Sequence, residues 1–126
     1  MSERSICFFH LPLMVKSTNW YTRHDRRRYN DHKKDMVFLV AQVCKHMVKI
    51  EQPVNIEIHP KVGKGIQRFD CSNYSLGLKM IEDGLVKCGV LQDDSPEWVR
   101  KATIHAPERV KDKSKEGFYV LLETAD

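Results

Sequence analysis

The stretch RFDCSNYSLGLKMIEDGLVKCGVLQDDSPEW, residues 68–98, holds the most regular pattern of the chain. Its apolar residues recur at helical spacing and predict an amphipathic helix over residues 73–88, with Gly89 as its C-terminal stop. Acidic residues lie before, within and after this helix: Asp70, Asp83, Asp93 and Asp94. These carboxylates either cap helices and turns or converge on a metal ion, and the pattern by itself leaves both interpretations open.

The segments on either side of this stretch predict further elements. Apolar and alternating runs predict strands over residues 5–14, 53–60, 99–105 and 117–124, and helical spacing predicts a helix over residues 31–49 with Asp31 as its N-cap. Residues 16–30 are interpreted as a polar connection, and residues 107–116 as a solvated hairpin loop. The order β-α-β-α-β-β predicts one α+β domain over residues 1–126, with two helices packed on one mixed sheet.

Composition restricts the class of protein. The chain has 126 residues, of which 41% are hydrophobic and 30% charged, as in an ordinary globular domain. Its longest early apolar run, residues 6–15, is interrupted by His10 and Pro12 and is shorter than the roughly 20 residues of a membrane span. No signal-peptide pattern precedes it, so a cytoplasmic location is expected.

Four cysteines are irregularly spaced, with no C-x-x-C pair: Cys7, Cys44, Cys71 and Cys88. Their apolar neighbours predict free, buried thiols and argue against a zinc site.

Charge is divided unevenly along the chain. Residues 1–69 contain 13 Lys and Arg against 6 Asp and Glu, whereas residues 70–126 contain 8 against 11. A basic surface beside an acidic pocket is what a metal-dependent nuclease needs, because cations hold the phosphate backbone and carboxylates hold the metal.

The residues around the second predicted helix share a joint spacing: Asp70-x-x-Asn73, Lys79, Asp83-Gly84-Leu85, and Cys88-Gly89-Val90-Leu91 followed by Asp93-Asp94. This spacing resembles the RusA-like family of Holliday junction resolvases. In that family D-x-D-N precedes a helix with a lysine and a D-A/G-L step, and A-G, two apolar residues and a D-D pair follow. The resemblance covers residues 6–124, and the basic segment 17–34 is similar to the family's N-terminal region.

The resemblance implies a Mg²⁺- or Mn²⁺-dependent endodeoxyribonuclease that resolves four-way junctions by paired symmetric phosphodiester hydrolysis. Such an enzyme serves DNA recombination and repair, as in phages or prophages. It implies Asp70, Lys79 and Asp94 as catalytic residues, metal ligands among Asp70, Asp83, Asp93 and Asp94, and Asn73 as the residue that orients the Asp70 loop. A homodimer is expected because two symmetric cuts need two sites. No membrane partner and no nucleotide cofactor are expected.

Two departures from the family pattern keep other interpretations open. Ser72 replaces the second acid of D-x-D-N, and the segment between Asn73 and Lys79 is three residues longer than in the family pattern. The alternatives are a catalytically weak or inactive branched-DNA-binding protein, and a basic interaction domain whose acids only cap helices. For Asp83 two interpretations stay open within the resemblance itself: a partial metal ligand, or a helix-surface acid paired with Lys79.

Basic residues predict contacts with the DNA backbone, and aromatic residues near them predict stacking on an unpaired base or packing in the core. The expected backbone contacts are Arg23, Arg26, Arg27, Arg28, Lys33, Lys34, Lys61, Lys64 and Arg68, and the stacking candidates are Trp20 and Tyr21. His24 and His59 could contact phosphate or be structural. Recognition of DNA shape is expected, because no segment resembles a base-reading helix.

Overall fold

The computed structural model of the protein describes residues 5–23, 26–63 and 71–125, without the side chains of residues 19, 23, 26, 71 and 72. The expected α+β architecture is confirmed: helices pack on one face of a mixed sheet. The helices are α1 (Thr18–Arg23), α2 (Arg26–Val43) and α3 (Ser75–Lys87), and a 3₁₀ turn, Cys71–Tyr74, directly precedes α3. The strands are β1 (Ser5–Leu11), β2 (Val54–Val62), β3 (Val99–Ile104), β4 (Glu108–Arg109) and β5 (Gly117–Thr124).

Strand β2 is the centre of the sheet. The strand order is β1-β5-β2-β3, and the short β4 also pairs with β2. β2 is antiparallel to β5 and parallel to β3 and β4. Its residues alternate between buried positions at 54, 56, 58, 60 and 62 and half-buried positions at 55, 57, 59 and 61. We call the side of the buried positions the inner face, which the helices cover, and the opposite side the outer face.

Helices α2 and α3 pack closely because α3 has a glycine where they meet. Val40 of α2 is fully buried, and a Cβ atom built at Gly84 of α3 would lie only 3.0 Å from its Cβ. On the sheet side, Gly77 of α3 faces the buried ring of Phe118 in β5. The two glycines therefore let α3 lie against both its helical neighbour and the inner face of the sheet.

Helix α3 ends where the sequence predicts. Gly89 has φ +87°, in the left-handed region that favours glycine. Its N–H donates to the carbonyl of Val86 (3.1 Å), and the N–H of Val90 donates to the carbonyl of Leu85 (3.0 Å). These two bonds form a Schellman motif, which turns the chain sharply away from the helix axis.

Two predictions of local structure are wrong. Asp31 does not cap a helix, because α2 begins at Arg26 and Asp31 lies inside it. Residues 16–30, interpreted as a connection, contain α1 and the start of α2, so the described part of the chain has three α-helices where two were predicted. Arginine is a good helix former, and the ring of Tyr29 packs edge-on against the buried ring of Tyr21, 5.4 Å away.

The hairpin predicted over residues 107–116 is also wrong. β3 and β5 lie on opposite sides of β2, so they are not hairpin neighbours. The segment between them instead contributes β4, where Glu108 and Arg109 pair with Lys61 and Val62 of β2.

Cysteines do not all behave as expected. Cys44 is buried and Cys7 is half-buried, but Cys88 is exposed, which corrects the prediction of buried thiols. Cys88 occupies the C-cap of α3, and this position faces solvent at the turn. No helix in the described part of the chain is long and apolar enough to cross a membrane.

Candidate active site

Lys79 is the centre of a cluster of charged side chains on α3. Its ammonium forms an ion pair with Asp83, one helical turn further on, at 3.3 Å. It also forms a hydrogen-bonded ion pair with Asp94, which lies in the loop between α3 and β3. A single lysine therefore contacts two of the predicted metal ligands.

The loop that carries Asp94 is held at both ends. After the Schellman turn, Val90 and Leu91 are buried, and the carbonyl of Val90 accepts a hydrogen bond from the N–H of Ile50 (2.9 Å). Beyond Asp94, the carbonyl of Ser95 accepts bonds from two N–H groups that lead into β3. These hydrogen bonds and buried residues hold the loop in place. As a result, Asp94 lies on the side of α3 that carries Lys79.

Lys33 of α2 completes this arrangement from the neighbouring helix. Its ammonium lies 2.9 Å from a carboxylate oxygen of Asp83. The close approach of α2 and α3 at Gly84 brings these two side chains together. We call Lys33, Lys79, Asp83 and Asp94 the lysine–aspartate cluster; it joins α2, α3 and the loop before β3.

Ion pairing shifts the pKa of Lys33, Lys79 and Asp94 in the direction that favours their charged forms. The hydrogen bond from Lys79 lowers the pKa of Asp94 below its ordinary value, and the Asp94 carboxylate in turn raises the pKa of Lys79. The hydrogen bond to Asp83 likewise raises the pKa of Lys33. Half of the Lys79 side chain is still exposed, so its ammonium can also meet a charged ligand from solvent.

The other predicted metal ligands, Asp93 and Asp70, are not among the four residues of the cluster. Asp93 is exposed and Asp94 is half-buried, so the two adjacent acids occupy different environments. Asp70 lies outside the described residues. Carboxylate oxygens are the ligands that Mg²⁺ prefers, and the acids of the cluster fit that ion in kind. Since they contact a common ammonium, their oxygens lie on one side of α3.

Two buried residues, Asn73 and Tyr74, directly precede α3. Tyr74 occupies the N-cap position of α3 and makes no side-chain capping bond. The N–H of Leu76 instead donates to the hydroxyl of Thr18 in α1, at 3.3 Å. Asn73 is only 6% exposed, a buried position from which a side chain can hold a loop.

The basic surface of α2 lies beside Trp20. Arg27, Arg28 and Lys34 are exposed, and the guanidinium of Arg28 lies 6.0 Å from the centre of the Trp20 ring. That ring is half-buried and stacks on His32, with 6.0 Å between ring centres. Its remaining exposed surface, next to a cation, leaves Trp20 able to contact a nucleic acid.

Tyr21 cannot act as a stacking residue in this conformation. It is 5% exposed, and its hydroxyl forms a hydrogen bond with Nδ1 of His32 at 2.7 Å. The prediction that it stacks on a base is wrong, and its alternative, packing in the core, is confirmed.

Not all of the remaining predicted DNA contacts lie on the same side of the sheet as the lysine–aspartate cluster. Lys61 projects from the outer face of the sheet, where it pairs with Glu108 and lies 5.7 Å from the centre of the Tyr119 ring. It is thus on the other side of the sheet from the lysine–aspartate cluster. The side chains of Arg23 and Arg26 are not described, and His24, Lys64 and Arg68 lie outside the described residues.

An open groove between α2 and α3 adjoins the cluster. Its volume is about 710 Å³, and Lys33 and Asp83 are among the residues that line it. Phe38 of α2 also lines it and is 67% exposed. The groove places an apolar surface next to the charged cluster.

Sequence reasoning missed a group on the outer face. Within the described residues, the three side chains close enough to share a metal ion are Glu57, His59 and His105. A signal was present, because Glu57 and His59 are two residues apart in a predicted strand and so share a face. The contribution of His105 could not be read from the sequence, because it depends on which strands are neighbours.

Comparison of the chain with models of protein families gives no match, and comparison with curated proteins gives none either. The resemblance to RusA-like resolvases therefore rests on the spacing of residues 70–94.

Proposed function

We propose that the protein is a divalent-cation-dependent endonuclease that cuts branched DNA, with the four-way junction as its preferred substrate. The observation that carries this proposal is the contact of Lys79 with both Asp83 and Asp94. Lys79 and Asp83 lie one helical turn apart, Asp94 lies eleven residues further along the chain, and the three side chains form one partly exposed cluster.

Each residue of the cluster has a part in phosphodiester hydrolysis. Asp94 and Asp83 present carboxylate oxygens, with Asp70 as the further acid of the motif. A bound Mg²⁺ would lower the pKa of water and neutralise charge on the phosphate. Lys79 would donate hydrogen bonds to the phosphate oxygens, where negative charge grows in the transition state. Lys33, which already holds Asp83, supplies a second cation at the edge of the site.

The surface around the cluster suits a nucleic acid backbone. Arg27, Arg28 and Lys34 of α2 are exposed and add positive charge on the helix that also carries Lys33. Such contacts are made to phosphate and do not depend on base sequence. A homodimer would present two clusters, as two symmetric cuts in a four-way junction require.

A second candidate function is favoured by one feature of the sequence. Ser72 stands where the family pattern has an acid, which removes one potential metal ligand. With fewer carboxylates the protein would bind branched DNA without cutting it, and the basic surface of α2 would still serve.

The test is incubation of a labelled four-way junction with the protein in Mg²⁺ or Mn²⁺, beside a linear duplex of the same sequence. Paired symmetric cuts in the junction, with the linear duplex left intact, support the endonuclease. A junction-specific complex without cuts in either metal supports the binding protein. Equal binding to both DNAs without cutting refutes both candidates.

A further inference from the structure

The outer face of the sheet carries a group of potential metal ligands that the proposed nuclease chemistry does not use. Glu57 and His59 project from β2, two residues apart on the same face. His105 directly follows the parallel neighbour β3, and its N–H donates to the carbonyl of Ile58 at 3.0 Å. This backbone bond continues the ladder past the end of β3 and places His105 beside Glu57 and His59.

The three side chains converge on one point. Nε2 of His105 lies 3.1 Å from Oε2 of Glu57, and Nε2 of His59 lies 3.5 Å from the same oxygen. The two imidazole rings stack with 3.9 Å between their centres and 12° between their planes. One ligand atom from each residue thus lies within 4.8 Å of the other two.

These separations suit a tetrahedral ion. With bonds of about 2.0–2.1 Å, the ligand atoms of a tetrahedral zinc site lie roughly 3.3 Å apart. The observed separations of 3.1 and 3.5 Å fall on either side of that value. The nitrogen lone pairs lie in the two near-parallel ring planes, so the rings would have to turn out of their stacked arrangement to ligate one ion, while the strands stay in place.

The chemistry of the ligands selects the class of ion. Imidazole nitrogen favours zinc and similar transition metals, whereas Mg²⁺ and Ca²⁺ favour oxygen. We propose that Glu57, His59 and His105 form a binding site for a divalent transition-metal ion of the Zn²⁺ class, with the fourth position open to water. This site is separate from the lysine–aspartate cluster, which lies in the helical layer on the other side of the sheet.

An ion can reach this group from solvent. The side chains of Glu57, His59 and His105 are 28%, 33% and 42% exposed. The nearby Lys61 pairs with Glu108 of β4, so its ammonium is held by another carboxylate. A bound ion would link β2 to the segment after β3 and so strengthen the parallel edge of the sheet.

The experiment titrates untagged apo-protein with Zn²⁺ in competition with a chromophoric chelator, and follows Co²⁺ binding by visible absorption. The expected result is one ion per chain and the intense bands of a tetrahedral site. His59→Ala and His105→Ala should each weaken binding more than about 100-fold, because even residues that only support a ligand cost roughly 10–100-fold. Glu57→Gln keeps the shape of the side chain and should also weaken binding. This variant separates the loss of a ligand from the loss of the fold, in case a histidine variant misfolds.

Two variants serve as controls. His46→Ala removes an exposed histidine in the turn after α2, and Cys88→Ser removes the exposed thiol at the end of α3. Both should bind Zn²⁺ as the wild type does. Less than one ion per chain in the wild type, unchanged affinity in the Glu57, His59 and His105 variants, or a cobalt spectrum with thiolate bands would overturn the proposal.

Discussion

Lys79 and Asp94, fifteen residues apart in the chain, form an ion pair that joins α3 to the loop before β3. The Schellman turn at Gly89 makes this contact geometrically feasible, because it reverses the chain immediately after the helix. Since the same ammonium also contacts Asp83, the pair organises acids from two elements around one cation. The proposed nuclease chemistry depends on this arrangement.

Replacement of Lys79 by alanine should reduce junction cleavage by about 10²–10³-fold, the usual cost of losing one group that stabilises transition-state charge. Junction binding should change little, because α2 supplies other cations. The measurement is single-turnover cleavage in Mg²⁺ with the junction bound. Lys87→Ala, an exposed lysine at the end of the same helix, is the matched control and should cleave normally. Cleavage by Lys79→Ala at the same rate as by this control would show that Lys79 has no part in the proposed chemistry.

The ion pair also predicts a dependence of stability on pH. Lys79 lowers the pKa of Asp94 in the folded state, so the pair stabilises the fold above the unfolded-state pKa, and this contribution is lost as pH falls through the folded-state pKa. Because both side chains are partly exposed, the contribution should be less than about 1 kcal/mol.

The measurement is urea unfolding of the wild type and Asp94→Asn at pH 6 and below pH 3, without divalent metal. The difference in the free energy of unfolding should be largest at pH 6 and become smaller at the lower pH. A difference of the same size at both pH values would mean that the carboxylate charge is not its source.

Gly84 sets the approach of α2 to α3, and its substitution should destabilise the protein. A methyl group at this position would lie 3.0–3.2 Å from three atoms of the Val40 side chain, which is fully buried and stiff because it is β-branched. Overpacking costs about 1–3 kcal/mol and alanine gains roughly 1 kcal/mol in helix propensity, so Gly84→Ala should destabilise the protein by up to about 2 kcal/mol.

A double-mutant cycle with Val40→Ala checks this cause. The shorter side chain makes room for the new methyl group, so the double variant should lose less than the sum of the two single losses. Additive losses would show that the contact with Val40 is not the cause, and a stabilised Gly84→Ala protein would show that the helices can separate without cost.

Thiol reactivity should differ strongly among the cysteines. Burial raises the pKa of Cys7 to about 11 and that of Cys44 to about 12, whereas Cys88 is exposed. At pH 8 only about one Cys7 in 10³ and one Cys44 in 10⁴ would be a thiolate, which is the reactive form. Alkylation followed by peptide mapping should therefore label Cys88 well before Cys7 and Cys44. Rates for Cys7 and Cys44 should rise with pH, and equal labelling of Cys7, Cys44 and Cys88 at pH 8 would contradict their placement.

Periodicity was enough to predict most elements, and the reasons are local. The alternation of Val54, Ile56 and Ile58 marks β2, and Gly89 marks the end of α3, because each pattern reflects one face or one turn. The positions of Lys79 and Asp83 on one side of α3 follow from the same spacing.

The remaining features depend on contacts that sequence spacing does not encode. The charged segment before residue 31 was expected to be a loop, but Tyr29 packs on Tyr21 and α2 starts five residues earlier. The hairpin was expected because residues 99–105 and 117–124 are consecutive strands. In the structure β5 lies between β1 and β2, which also leaves His105 beside Glu57.

The central claim is that Asp94 belongs to a centre that cleaves DNA. The most direct test is cleavage of a labelled four-way junction in Mg²⁺ or Mn²⁺ by the wild type and Asp94→Asn, with Asp112→Asn as a control acid distant in sequence. Asp112 caps a 3₁₀ turn at residues 113–115 and has no part in the cluster. The account predicts paired symmetric cuts by the wild type and Asp112→Asn, and junction binding without cuts by Asp94→Asn. Cleavage by Asp94→Asn at the wild-type rate, or no cleavage by the wild type in either metal, would contradict it.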